Sequence, residues 1–77
     1  MYRGTTLFYD RIRGYGFIIP ADHSEDIFFH HTGIVMDGIK RLEKGQPVSY
    51  ELGTNPRTNK PMAVHVTPVV GGDDENQ

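Results

Sequence analysis

At 77 residues the chain is too short for two cores, and its lack of cysteine excludes both a disulfide framework and a thiolate metal site. No apolar run approaches the roughly 18 residues of a membrane span, and no charged start precedes a signal-type apolar segment, so a soluble cytoplasmic protein is expected. The formal charge of −2 excludes a ligand held by charge alone, although removing 71–77 leaves eight basic against seven acidic residues.

In chain order, Gly4 to Asp10 reads as a first strand, rich in β-branched and aromatic residues. Asp10-Arg11-Ile12-Arg13-Gly14 is a turn into a second strand, Tyr15 to Ile19, which stops at Pro20. Ala21 to Glu25 is a polar hairpin loop, and Asp26 to His31 a third strand. Thr32-Gly33-Ile34 predicts one helical turn, capped by Thr32 and anchored by Ile34. Val35 to Gly45 is a connection with turn punctuation at Asp37-Gly38 and Lys44-Gly45. Pro47 to Leu52 alternates cleanly, with Val48, Tyr50 and Leu52 inward and Ser49 and Glu51 outward. Gly53 to Pro61 is a flexible loop carrying Arg57 and Lys60. Met62 to Val70 is the last strand, with Val64 and Val66 inward and Ala63, His65 and Thr67 outward. Residues 71–77 hold three acids and no apolar residue, which predicts a disordered tail after a domain spanning 1–70. Five short strands without a convincing helix predict an all-β, antiparallel Greek-key barrel, because closure removes the edges of short sheets.

The second and third strands carry the chemistry. Along a strand successive side chains alternate faces, so Tyr15, Phe17 and Ile19 share one side and Gly16 and Ile18 the other. In the third strand, Asp26, Phe28 and His30 oppose Ile27 and Phe29. A face holding aspartate and histidine is wet, and it brings Phe28 out with it. If the strands pair, Tyr15, Phe17, Phe28 and His30 line one exposed surface, while Ile18, Ile27 and Phe29 enter the core. Such a surface is a platform for stacking bases. A core reading of the rings fails, because Ile18, Ile27 and Phe29 would then face water. With the chain close to neutral, binding leans on stacking more than on phosphate neutralisation, and its salt dependence is shallow.

Arg13-Gly14-Tyr15-Gly16-Phe17-Ile18 matches the opening of the ribonucleoprotein motif and departs from it at Pro20. Only twelve residues precede the match, which excludes the RNA-recognition domain, where this strand comes late. Together with Asp26-Ile27-Phe28-Phe29-His30, Thr32-Gly33-Ile34, Leu42-Glu43-Lys44-Gly45-Gln46-Pro47-Val48 and Pro61-Met62-Ala63-Val64-His65-Val66, the motif makes the chain resemble a bacterial cold-shock protein from about Gly4 to Val69. The resemblance implies a five-stranded OB-fold barrel that binds single-stranded RNA or DNA, as RNA chaperone or transcription antiterminator; no residue constellation supports an enzymatic role, and no cofactor is expected. Matched position by position, it implies stacking by Phe8, Tyr15, Phe17, Phe28, His30 and His31, a flanking basic contact from Arg13 and a base contact from Asp10. Lys60 joins them from the Gly53 to Pro61 loop. The chain departs from the family at Leu7 (usually lysine), Phe8 (usually tryptophan), His31 (usually phenylalanine) and Ile39 (often aromatic).

The remaining signals weigh less. His30 and His31 are adjacent on a strand and point to opposite faces, so a shared metal ion is not expected unless a bend after His30 turns both rings toward the ligand. Arg3, Arg11 and Arg13 are either a solvated face or phosphate contacts. The acidic tail is a solubilising extension, or a competitor for Arg11, Arg13 or Lys60. The ligand expected is a single strand, favouring pyrimidine-rich tracts, bound by a monomer away from any membrane. A barrel that instead binds a protein through its aromatic patch is the rival reading.

Overall fold

The computed structural model describes residues 1–35 and 42–69. Asp37-Gly38, Ile39 and the tail 71–77 lie outside the described residues. The elements are β1 (Tyr2–Asp10), β2 (Tyr15–Pro20), β3 (Ile27–His30), a 3₁₀ turn (His31–Gly33), β4 (Pro47–Thr54) and β5 (Pro61–Pro68). They close a barrel in the order β1-β2-β3-β5-β4. One pairing departs from the antiparallel expectation: β3 and β5 run parallel, through Phe28 opposite Met62 and Phe29 opposite Ala63. This ladder is short, and the buried Ile34 extends the closure by bridging to Val66. Among the described residues, no helix is long and apolar enough to cross a membrane.

The interior is filled by Ile18, Phe29, Ile34, Val48, Tyr50, Ala63 and Val66, with Leu42 at its edge. Ile27 packs against this core half-buried, and the Tyr9 ring stacks on Phe29 with centroids 5.7 Å apart. Burial raises the Tyr9 and Tyr50 phenols above their ordinary value. Thr6, the most buried polar residue, is fully satisfied: its amide and hydroxyl both donate to the Gln46 carbonyl, and its own carbonyl accepts from Gly45 N.

Strict alternation fails at two register shifts. In β1, Thr6 opposes Ile18 while Phe8 opposes Phe17, so Leu7 is an extra residue. The slip flips everything after it to the other face. Thr6 and Tyr9 both turn inward although three residues apart, and Phe8 turns out. The second shift lies between β4 and β5, where Ser49 opposes Thr67 and Glu51 opposes Val64. Tyr50 therefore faces two residues, His65 and Val66, and His65 takes φ 51° to make the bulge. This corrects the expected pattern of the last strand. Val66 is inward as alternation predicts, but Ala63 is buried, and Val64 is half-buried on the face alternation assigned to Ala63.

Two residues of β4 differ as well. Ser49 is nearly covered, and Leu52 is 44% exposed. The β1–β4 ladder ends at Tyr2 opposite Tyr50, so beyond that pair β4 is held by β5 alone and Leu52 has no strand to cover it.

Gly16 is where the two faces are separated. A Cβ there would lie 2.3 Å from the Phe8 carbonyl oxygen and 2.7 Å from the Phe29 ring. Gly16→Ala forces backbone or the core ring to move, and should destabilise the barrel by about 2–3 kcal/mol in urea unfolding.

Candidate nucleic-acid interface

The outer face of β1, β2 and β3 carries two rows of side chains. Phe8, Phe17 and Phe28 stand directly opposite one another across the three strands. Asp10, Tyr15 and His30 form the second row. Residues paired directly across a sheet bring their side chains within contact distance, and the rings meet accordingly. Phe8–Phe17 and Phe17–Phe28 centroids lie 5.7 and 5.9 Å apart, the second pair edge to face. Tyr15 stacks on Phe28 at 5.9 Å and meets Phe8 and Phe17 edge-on. The four rings support each other from below and leave faces open, with Phe8 the most exposed at 38%. They lie outside the barrel, as the strand pattern predicts.

The turn feeding this face is held by Asp10. Its Oδ1 accepts from Ile12 N at 2.9 Å and Arg13 N at 3.0 Å, and its carbonyl accepts from Gly14 N. One carboxylate oxygen is thus occupied by the turn, and Oδ2 faces the exposed Arg13 guanidinium at 3.9 Å. An exposed pair at that separation holds Arg13 only weakly, so its side chain is available to a phosphate.

Gly14 links the turn to the histidines. It adopts φ 78°, and its carbonyl accepts from His31 N at 2.8 Å. The His31 ring occupies the space a Cβ would need, with Cδ2 2.6 Å from that position. His30 and His31 do not splay to opposite faces. The chain leaves the strand at His30 and enters the 3₁₀ turn, which brings the two rings to 4.5 Å. The cap is also two residues earlier than expected. His30 Nδ1 accepts from Thr32 N and pairs with the Thr32 hydroxyl at 2.9 Å, while Thr32 lies within the turn. Among the described residues no group of three histidines or carboxylates could hold a metal ion.

One open groove is lined by Phe17, Phe28 and His30 together with Arg57, Lys60 and Met62, the last paired with Phe28 on the neighbouring strand. The loop carrying the two cations is not a loose one. Asn55 N donates to the Lys60 carbonyl, Asn59 N to the Asn55 carbonyl, and Arg57 N to Asn55 Oδ1. Sequence reasoning reached Lys60 but left Arg57 unassigned, because the length of this loop gave no register. It missed Met62, whose strand pairing with Phe28 no local pattern announces. Asp22 anchors the β2–β3 loop on the other side, where two hydrogen bonds from Ser24 lower its carboxyl.

The Asp10 turn has a direct test. Asp10→Asn keeps the Oδ1 acceptor and should leave stability nearly unchanged, whereas Asp10→Ala leaves two amides without it and should cost about 1 kcal/mol in urea unfolding.

Comparison with known proteins agrees with this geometry. Residues 2–69 match the family described as the 'Cold-shock' DNA-binding domain. The chain is 39% identical over 59 residues to the cold shock-like protein CspD of Escherichia coli, covering 77% of this chain and 80% of that protein. It is 40% identical over 57 residues to the probable cold shock protein A of Mycolicibacterium smegmatis, covering 74% and 85% of the two chains. A cold shock-like protein of Aquifex aeolicus is 43% identical over 51 residues, covering 66% and 73%. A match running almost from end to end of a closed barrel leaves one assignment: the chain belongs to the cold-shock domain family, whose members bind single-stranded nucleic acid.

Proposed function

We propose that this protein traps single-stranded RNA or DNA by stacking unpaired bases on Phe8, Tyr15, Phe17, Phe28 and the His30–His31 pair, and acts thereby as an RNA chaperone or antiterminator. The observation that carries this reading is the four-ring cluster on the outside of the barrel, since large aromatic surface turned to water marks a binding site. Arg13, Lys60 and Arg57 stand at the borders of the rings and contact phosphates, and Asp10 offers to a base edge the Oδ2 that the turn does not use and that Arg13 holds only weakly.

The action is passive. Bases leave one another and stack on side chains, and capture of the open form shifts RNA hairpins toward melted states without ATP. Pyrimidine-rich tracts are favoured because their bases give up the least mutual stacking. The chain works as a monomer in the cytoplasm. With stacking worth about 1–3 kcal/mol per base and few cations nearby, affinity is micromolar or weaker before any further partner contributes.

Phe17→Ala should weaken binding of a thymine or uridine heptamer about tenfold with the barrel still folded, as read by tyrosine quenching and thermal unfolding. Loss of folding would instead make the ring part of the core, and unchanged binding would favour a protein ligand for the patch. The salt dependence should be shallow, and Lys60→Ala should reduce the slope of log K against log salt by about 0.7, the increment of one phosphate on a single strand.

A further inference from the structure

The β1–β2 turn presents an apolar side chain that the barrel does not use. The last pair of this hairpin is Asp10 opposite Tyr15, so residues 11–14 project past the second row of the platform, the row of Asp10, Tyr15 and His30. Ile12 stands on the turn 93% exposed, the most exposed large hydrophobic among the described residues. A lone apolar side chain in water needs no explanation by itself, but this one is held in place. Its amide and that of Arg13 donate to Asp10 Oδ1, Gly14 N donates to the Asp10 carbonyl, and the Gly14 carbonyl accepts from His31 N. The backbone around Ile12 is therefore tied to both β1 and the 3₁₀ turn. Its branched Cβ restricts χ1, so less rotamer freedom is lost on contact. Exposed arginines flank it on both sides. Against them stands Asp10, whose Oδ1 serves the turn and whose Oδ2 lies 3.9 Å from the Arg13 guanidinium, which leaves two positive charges against one negative.

We propose that Ile12 is a wedge for paired nucleic acid: with a single strand held on the rings, it enters between the first base pairs of the stem attached to that strand, while Arg11 and Arg13 contact the phosphates beside it. This rests on the base-stacking reading above and extends its ligand from an open strand to the junction of open and paired segments. Apolar side chains inserted between base steps unstack them, in proteins that also bring arginine and lysine to the same groove. Continuity with the platform favours nucleic acid as the occupant, because a strand leaving the row of Asp10, Tyr15 and His30 meets the turn next. So does the charge, since the surroundings of the side chain are net positive and suit phosphates. The rings cannot take this part. Stacking on a ring receives bases that are already free, whereas a projecting aliphatic tip acts on bases still paired. Ile12 thereby gives the passive platform a means of opening the end of a stem.

The test uses the full chain and two DNA probes: a thymine heptamer, and the same heptamer joined to a short hairpin stem with 2-aminopurine at the first paired position. Binding of the unsubstituted protein to the joined hairpin should raise 2-aminopurine emission as that base unstacks. Ile12→Ser should leave heptamer affinity and thermal unfolding unchanged, abolish the rise, and weaken binding of the joined hairpin about fivefold. Ile12→Leu should keep the rise, because an aliphatic wedge remains. An Ile12→Ser protein that still raises the emission would overturn the proposal. An equal loss on both probes would overturn it too, by making Ile12 a plain single-strand contact, and unchanged binding of both would do so by leaving the turn to a protein partner. If the unsubstituted protein binds neither probe, the base-stacking reading falls and the wedge with it.

Discussion

The barrel depends on the contact between the Phe29 ring and the backbone of Gly16. Phe29 is fully buried, stacked on Tyr9, and it fills the space that any side chain at position 16 would need. With Phe29 and Ile18 inside, the opposite faces of β2 and β3 must lie outside. Tyr15, Phe17 and Phe28 are thus exposed by exclusion: the interior of a five-stranded barrel has no volume for a second set of rings. An unusually aromatic surface follows from an ordinary packing limit.

Two bulges adapt the strands to that limit. At Leu7 the slip lets β1 keep Thr6 and Tyr9 in the core and still present Phe8 beside Phe17. At His65 the slip lets Ala63 and Val66 both face inward. Each bulge adds one residue to one strand and reverses the faces beyond it, so curvature and side-chain placement are set together. The left-handed backbone of His65 is the local cost, and its ring lies 3.0 Å from Glu51 on the adjacent strand.

The interface is organised by rings more than by charge. Asp10 spends one oxygen on the turn, Gly14 makes room for His31, and the 3₁₀ turn draws His31 against His30. These contacts hold the surface in shape before any ligand arrives, which lowers the ordering cost of binding. The cations stand at the borders, on the Arg13 turn and the Asn55–Lys60 loop. On the proposed reading, a surface built this way grips flat apolar partners and attracts phosphates only modestly, in keeping with a chain of net charge −2.

The sequence by itself determined the fold class, the strand order along the chain and the outward set of β2 and β3. All of these follow from period-two alternation and from turn residues acting over a few positions. It also carried the family motifs, because they are contiguous. Only the tertiary structure decided which way Phe8 and Ala63 face, that Leu52 is uncovered, that His30 rather than Thr32 caps the turn, and that Met62 stands opposite Phe28. Apart from the cap, which His30 makes with Thr32 two residues on, each of these depends on pairing with another strand: a ladder that slips by one residue, a strand that ends, or a parallel neighbour. Alternation is a local rule and has no memory of register. Register is fixed by pairing between distant segments, and no stretch of sequence contains both sides of that pairing.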